Sequence, residues 1–199
     1  MNPKVILASG SPRRRELLQK AGLSFTVAVS SAEENASSEI PGEMVRELAQ
    51  VKAEAVRDML EDQGGGEYIV IGADTVVSVD GKVLGKPKDP EEAAAMIRLI
   101  EGRYHEVYTG VCLIRTSADE EKRCEKSFSE CTKVHVLPMT EEEVLNYVSC
   151  GESMDKAGAY AIQGQFGKYI DRFEGDYENV IGLPVRRVLE EIRALADES

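Results

Sequence analysis

Val5-Ile6-Leu7-Ala8-Ser9-Gly10-Ser11-Pro12-Arg13-Arg14-Arg15-Glu16-Leu17-Leu18 reads as strand, turn and helix in one run. Val5 to Ala8 is a short apolar segment, the pattern of a buried strand. Ser9-Gly10-Ser11 is turn chemistry. Ser11 then suits a helix N-cap and Pro12 the first helical position, where its missing N–H would have had no partner. Leu17, Leu18 and Ala21 supply an apolar face, and Gly22 stops the helix. Three residues beyond the cap, where a capping box places Glu or Gln, stands Arg14, with Arg13 and Arg15 beside it. Positive charge at the positive end of a helix dipole is unfavourable. A di- or triphosphate would relieve it by accepting backbone N–H bonds and pairing with the guanidinium forks. The competing reading is a solvated basic turn.

Outward from that stretch, Phe25-Thr26-Val27-Ala28-Val29 is a second strand that breaks into Ser30-Ser31-Ala32-Glu33-Glu34. Two adjacent carboxylates past a strand end suit either a metal ion or a solvated acidic loop. Glu43 to Glu61 is a helix whose expected buried stripe is Leu48, Val51, Ala55, Val56 and Met59. Lys52 projects from that stripe and either snorkels at its edge or points its ammonium into a cleft. Gly64-Gly65-Gly66 is a flexible connection, with no G-K-[ST] after it to make a phosphate loop.

Tyr68 to Thr75 is an apolar strand that runs straight into Asp74. Desolvation disfavours a lone carboxylate at a core edge, so a metal ion or a ligand-bound cation is its expected partner. The next residues form a hairpin with a two-residue Asp80-Gly81 turn, pairing Val79 with Lys82 and Val77 with Leu84. Continued, that register sets Thr75 opposite Lys86 and brings the lysine to the Asp74 end of the ladder. A surface hairpin with an incidental salt bridge is the plainer account. Asp89-Pro90-Glu91-Glu92 opens a helix with Ala94, Ile97, Leu99 and Ile100, ending at Gly102. Strands follow around Val107 to Arg115 and Phe128 to Val136, joined by a charged loop, Ser117 to Lys126. Thr140-Glu141-Glu142-Glu143 is a capping box for a helix ending at Gly151. Val185, Val188, Leu189, Ile192 and Leu195 mark the last helix. Hairpins mixed with helices predict an α/β fold with a mixed sheet, not a purely parallel one.

The chain of 199 residues is long enough for a well-buried core and fits a single domain, 1–199. A net charge of −12 argues against wrapping nucleic acid, yet leaves room for a small anion held by a few placed cations. No apolar run approaches a membrane span and no signal-peptide pattern is present, so the expected compartment is the cytoplasm. Cys112, Cys124, Cys131 and Cys150 lack paired C-x-x-C spacing and are expected as reduced thiols. His105 and His135 lie far apart in strand-like segments, which favours structural roles.

Read together, several stretches resemble the Maf family of nucleoside triphosphate pyrophosphatases. They are Leu7-Ala8-Ser9-Gly10-Ser11-Pro12-Arg13-Arg14, Gly72-Ala73-Asp74-Thr75-Val76, Gly85-Lys86-Pro87, Tyr108-Thr109-Gly110-Val111, Asp155-Lys156-Ala157-Gly158-Ala159-Tyr160 and Ile162-Gln163-Gly164. The resemblance covers nearly the whole chain in the family's order. It implies an elongated mixed β-sheet flanked by helices, with two lobes and a cleft, related to the inosine triphosphate pyrophosphatases. It also implies metal-assisted attack of water on the α-phosphate of a nucleoside triphosphate, giving the monophosphate and pyrophosphate. Ser9, Arg13 and Arg14 would hold phosphates, Lys52 and Lys86 would add charge, and Glu34 and Asp74 would be the metal and general-base carboxylates. The ion would be a divalent cation, Mg2+ or Mn2+. The D-K-A-G-A-Y and I-Q-G wording resembles the branch acting on dTTP and UTP, in which Arg13, Thr75 and Gln163 set base preference; removal of non-standard nucleotides is a further implied use. Ala161 where glycine is commoner, and Ser31-Ala32 before the Glu pair, depart from the pattern, and leave open whether Glu33 or Glu34 ligates. The alternatives are the sister branch acting on a 7-methylguanosine triphosphate and a nucleotide-binding regulator of septum formation. A homodimer is the assembly the family suggests.

Overall fold

The computed structural model describes residues 3–29, 31–33, 35–117 and 123–197. Its opening stretch folds as its chemistry demands. β1 (Lys4–Ala8) turns into α1 (Pro12–Lys20), with the Ser11 hydroxyl accepting the Arg14 N–H and Pro12 in the first turn. The buried face of α1 is Leu17, Leu18 and Arg14, while Ala21 caps the C-terminus in the open instead of packing. β2 (Phe25–Val27) and β3 (Tyr68–Val79) pair in parallel on either side of β1, with Val5 opposite Phe25 and Ile69. β4 (Lys82–Leu84) returns antiparallel on β3. β5 (Tyr104–Thr116), β6 (Cys124–Val136) and β7 (Ile170–Glu174) complete a seven-stranded sheet in the order β2-β1-β3-β5-β6-β7, and β7 runs antiparallel to β6. The sheet is mixed, as the alternation of hairpins and helices implied.

The hairpin has the expected register. Val79 pairs with Lys82 and Val77 with Leu84 across Asp80 (φ 51°) and Gly81 (φ 77°), the left-handed pair that a tight two-residue turn requires. The paired ladder stops at Leu84, before Lys86.

The chain packs into two compact units. The first takes the described residues of Met1–Asp74, Thr109–Glu130 and Gly182–Ser199; the second takes Thr75–Tyr108 and Cys131–Ile181. β3, β5 and β6 each contribute residues to both.

In the first unit, α2 (Pro41–Asp62) lies on Ile6, Ala8, Val70, Cys112 and Ile114 through Ala49, Ala53 and Val56. This corrects the expected stripe. Leu48, Val51 and Ala55 are half-buried and Met59 is exposed, whereas Val45, Ala49, Ala53 and Val56 are buried. The reason lies in the strands beneath. A Cβ at Gly72 would land on the Ala49 carbonyl, and one at Gly110 on the Val45 carbonyl. The helix backbone rests directly on two glycines, and only its small residues fit that approach. The amphipathic pattern shows an apolar side; the two glycines set its rotation. α6 (Val185–Asp197) closes this unit through Val185, Val188, Ile192 and Leu195, with Leu189 half-buried at the edge.

In the second unit, α3 (Pro90–Ile100) is capped by Asp89, whose carboxylate accepts the Glu92 N–H at 2.7 Å. α4 (Glu141–Ser149) starts with the reciprocal Thr140/Glu143 capping box. Ala93, Ala94, Ile97 and Ile100 of α3 share a core with Val144, Tyr147 and Val148 of α4 and with Val77, Val79, Val107, Val134 and Val136 of the strands. Leu99, expected on that face, is 40% exposed. α5 (Tyr177–Ile181) follows β7. All four cysteines are free thiols. His105 is buried with Nε2 2.7 Å from the Tyr160 hydroxyl, and burial pushes its pKa down to about 3. That is a structural role, as expected. No helix among the described residues is long and apolar enough to cross a membrane.

Candidate functional site

The first unit gathers five of the residues singled out above. Asp74 stands on β3 two residues beyond Gly72, on the same face of the strand, and that face is the one under α2. Lys52 comes from α2 one turn after Ala49. Its Nζ lies 2.6 Å from Asp74 Oδ1, and the two side chains are only 17% and 15% exposed. The lysine therefore does point inward, and it resolves the lone-carboxylate problem that β3 posed. The local hairpin argument had put Lys86 at that end of the ladder. The partner shown for Asp74 is Lys52 instead, brought in by helix packing and not by strand pairing.

Ser9 and Arg14 build the turn between β1 and α1. Ser9 Oγ accepts the Ser11 N–H at 3.2 Å and Arg14 Nη1 at 3.1 Å. Arg14 also donates from Nη1 to the Ala73 carbonyl at 2.8 Å and from Nε to the Gly182 carbonyl at 2.8 Å. Both side chains are buried. One guanidinium thus locks the phosphate-type turn, the residue preceding Asp74 and the entry to α6 into a single frame. Arg13, next in the first turn of α1, is half-buried, and that turn carries no acidic residue. The helix N-terminus and an arginine on it form a place where an anion is favoured.

The acidic loop is tied to the same helix that presents Lys52. Glu47 of α2 accepts the Ser37 N–H at 2.6 Å and the Ser38 N–H at 3.3 Å. Those two backbone bonds, Ser37 first, hold its carboxyl below the usual range. Glu33 is exposed and accepts Asn35 Nδ2 at 3.4 Å. Glu34, the other expected carboxylate, lies outside the described residues. Among the described residues no three His, Cys, Asp or Glu side chains converge as a metal cluster. Asp74 offers hard carboxylate oxygens, the donor type that Mg2+ and Mn2+ take, so the chemistry of the site fits such an ion.

The second unit holds Thr75, Lys86 and Gln163. Thr75 is half-buried, immediately after Asp74 in β3. Lys86 is exposed between Gly85 and the buried Pro87. The Gly85 carbonyl accepts the Gly158 N–H at 3.0 Å, which joins the G-K-P stretch to the D-K-A-G-A-Y stretch. Gly158 sits at φ 66°, and a Cβ there would come within 2.9 Å of the Val77 side chain, so only glycine fits. Gln163 is exposed on the segment between two short 3-10 turns, Ala157–Ala159 and Gln165–Tyr169.

Sequence reasoning missed three supporting groups. Gly72 and Gly110 carried a signal, since glycine inside an apolar strand marks a close backbone approach. Glu47 carried none, because its partners are backbone N–H groups that look alike in any sequence.

A family profile described as Maf-like protein matches residues 4–195. A protein of Lachnoclostridium phytofermentans named dTTP/UTP pyrophosphatase is 44% identical over 190 residues, 96% of this chain and 94% of that one. One of the same name from Carboxydothermus hydrogenoformans is 47% identical over 190 residues, 96% of this chain and 97% of that one. Among solved structures, the Staphylococcus aureus Ham1 protein aligns with a TM-score of 0.47 at 15% identity, covering 94% of this chain and 98% of that chain. With a profile match over almost its full length and relatives this similar, the chain belongs to the Maf-like protein family.

Proposed function

We propose that this chain is a nucleoside triphosphate pyrophosphatase that converts dTTP and UTP to the monophosphate and pyrophosphate. The observation that carries the chemistry is the Asp74 carboxylate held 2.6 Å from Lys52 at the edge of the first unit's core. The substrate class rests on the relatives, which share the name and 44–47% of the sequence.

Asp74 takes a proton from water as it adds to the α-phosphorus. The bridging P–O bond to the β-phosphate breaks, and pyrophosphate leaves with that electron pair. A divalent ion, Mg2+ or Mn2+, would be held by Asp74 with Glu34 or Glu33, and would supply charge against the phosphate oxygens and a more acidic water. Lys52 orients the Asp74 carboxylate and adds positive charge for the leaving group. Arg13 pairs with the phosphates, while Ser9 and Arg14 complete the phosphate set chiefly by fixing the turn from which the α1 amides point. Lys86 adds further charge, and Thr75 and Gln163, with Arg13, select the base. These few cations explain how a chain of net charge −12 accepts a polyanion. The reading carries with it a homodimer, as the resemblance implies, and the cytoplasmic compartment expected from the sequence.

The test is a panel of nucleoside triphosphates incubated with purified protein and Mg2+ or Mn2+, with products separated by ion exchange. Pyrophosphate should be the first inorganic product, fastest from dTTP and UTP, and exhaustive chelation should abolish it. Orthophosphate as first product, or turnover that survives chelation, contradicts the mechanism. A preference for 7-methylguanosine triphosphate assigns the sister branch, and binding without turnover assigns a sensor.

A further inference from the structure

We propose that Glu152 is a positioning residue that sets base selectivity by holding the segment that carries Gln163. The proposal rests on the reading above, in which Gln163 recognises the base. Glu152 itself touches no substrate in this account.

The geometry is one hydrogen bond and one close approach. Glu152 Oε2 accepts the Gln165 N–H at 3.0 Å, and Oε1 accepts the Tyr147 hydroxyl at 3.3 Å. Burial, with the Glu152 charge beside it, pushes the Tyr147 phenol well up, so it stays a donor to the carboxylate at any working pH. Gln165 therefore hangs directly from the carboxylate, whose other oxygen is held by Tyr147. Gln163 lies two residues before that anchor, in the span between Tyr160 and Phe166.

Packing makes that span unable to slide. Tyr160 on one side and Phe166 on the other are buried, with ring centroids 4.9 Å apart, and Tyr147 packs on Phe166 at 4.9 Å. Between these anchors, a Cβ at Gly164 would land on the Glu152 carboxylate itself. The carboxylate thus lies against the α-carbon next to Gln163. The backbone of Glu152 is fixed in turn, since Lys156 Nζ donates to its carbonyl at 3.1 Å. Holding the backbone beside Gln163 fixes where its side chain leaves the chain, and with it the positions its amide can reach. Without the carboxylate, the Gln165 N–H and the Tyr147 hydroxyl lose their acceptor, and the span is free to take other paths. Base readout through an amide depends on orientation, so selectivity is the property at risk.

Steady-state kinetics on dTTP, UTP, CTP and GTP, with thermal unfolding alongside, tests this in wild type, Glu152→Ala, Glu152→Gln, Gln163→Ala and the Glu152→Ala/Gln163→Ala double variant. Glu152→Ala should raise KM for dTTP and UTP about tenfold or more, the scale of one lost hydrogen bond of good geometry, with kcat within about threefold. The preference over CTP and GTP should shrink by a similar factor. Glu152→Gln keeps one acceptor oxygen and should recover part of the effect, which also covers the case where the alanine variant folds poorly. In the Gln163→Ala background, Glu152→Ala should change selectivity by less than about twofold, because its effect runs through that glutamine. An unchanged preference in Glu152→Ala, a fall in kcat with KM unmoved, or full additivity in the double variant overturns the proposal. The wild-type arm alone judges the functional reading. If it prefers another triphosphate, that reading fails, and the same KM and selectivity comparison on the preferred substrate still decides Glu152.

Discussion

Replacing Asp74 by asparagine separates the chemistry from the fold. The side chain keeps its size and one acceptor oxygen but loses its charge. Breaking a fully buried ion pair from one side costs about 3–5 kcal/mol. Here Asp74 keeps 15% and Lys52 17% of its side chain exposed, and the asparagine oxygen can still accept from the ammonium. A loss of about 1–2 kcal/mol is therefore expected, which for a chain of this length lowers Tm by roughly 2–8 °C. Against a typical stability of about 5–15 kcal/mol, that leaves the protein overwhelmingly folded at 25 °C. Unfolding cannot then account for any large change in rate. If Asp74 takes the proton from water, turnover should drop at least about a hundredfold. Pyrophosphate release from dTTP at saturating Mg2+, read beside circular dichroism melting, makes the comparison directly. A folded variant retaining more than about a tenth of wild-type turnover would refute the assignment and move the chemistry to the Glu33–Glu34 loop. A collapse in Tm with it would instead make the Lys52–Asp74 pair a structural strut.

Two further outcomes follow from the same geometry. Arg13→Ala should lower kcat/KM on dTTP by about 1.5–3 kcal/mol, the range for a charge-assisted contact, with the fold retained because alanine suits the first turn of α1; wild-type kinetics would return that arginine to a solvated turn. His105 titrates near 6.5 when unfolded and about 3 when folded, so its contribution is fully present above pH 6.5 and is lost as pH falls toward 3. Between pH 6.5 and 4.5 it should remove on the order of 2–3 kcal/mol. Urea midpoints at pH 6.5, 5.5 and 4.5 should fall steeply in wild type and less so in His105→Gln, and parallel slopes would contradict the burial argument.

What the sequence made legible is what short-range chemistry decides. Ser11 and Pro12 place the start of α1, Asp80 and Gly81 fix the hairpin register, and Thr140 with Glu143 opens α4, since each signal and its partner lie within a few residues. Legibility fails where a long-range contact chooses among local options. The pattern of α2 offered Leu48, Val51 and Met59 as its inner face, and two glycines on other strands selected Val45, Ala49 and Ala53. That choice is also what turns Lys52 toward Asp74. A lysine three residues after Ala49 and four before Val56 must lie over the strand that Ala49 touches, and Asp74 is the next residue on that face of β3 after Gly72. Gly72 is thus part of how the site is made. By letting α2 rest on β3, it brings a helix lysine within 2.6 Å of a strand carboxylate. The hairpin argument nominated Lys86 because pairing register can be counted along the chain, whereas the approach of α2 to the sheet cannot. The motif words locate the charged groups; the small residues between them decide which charges meet.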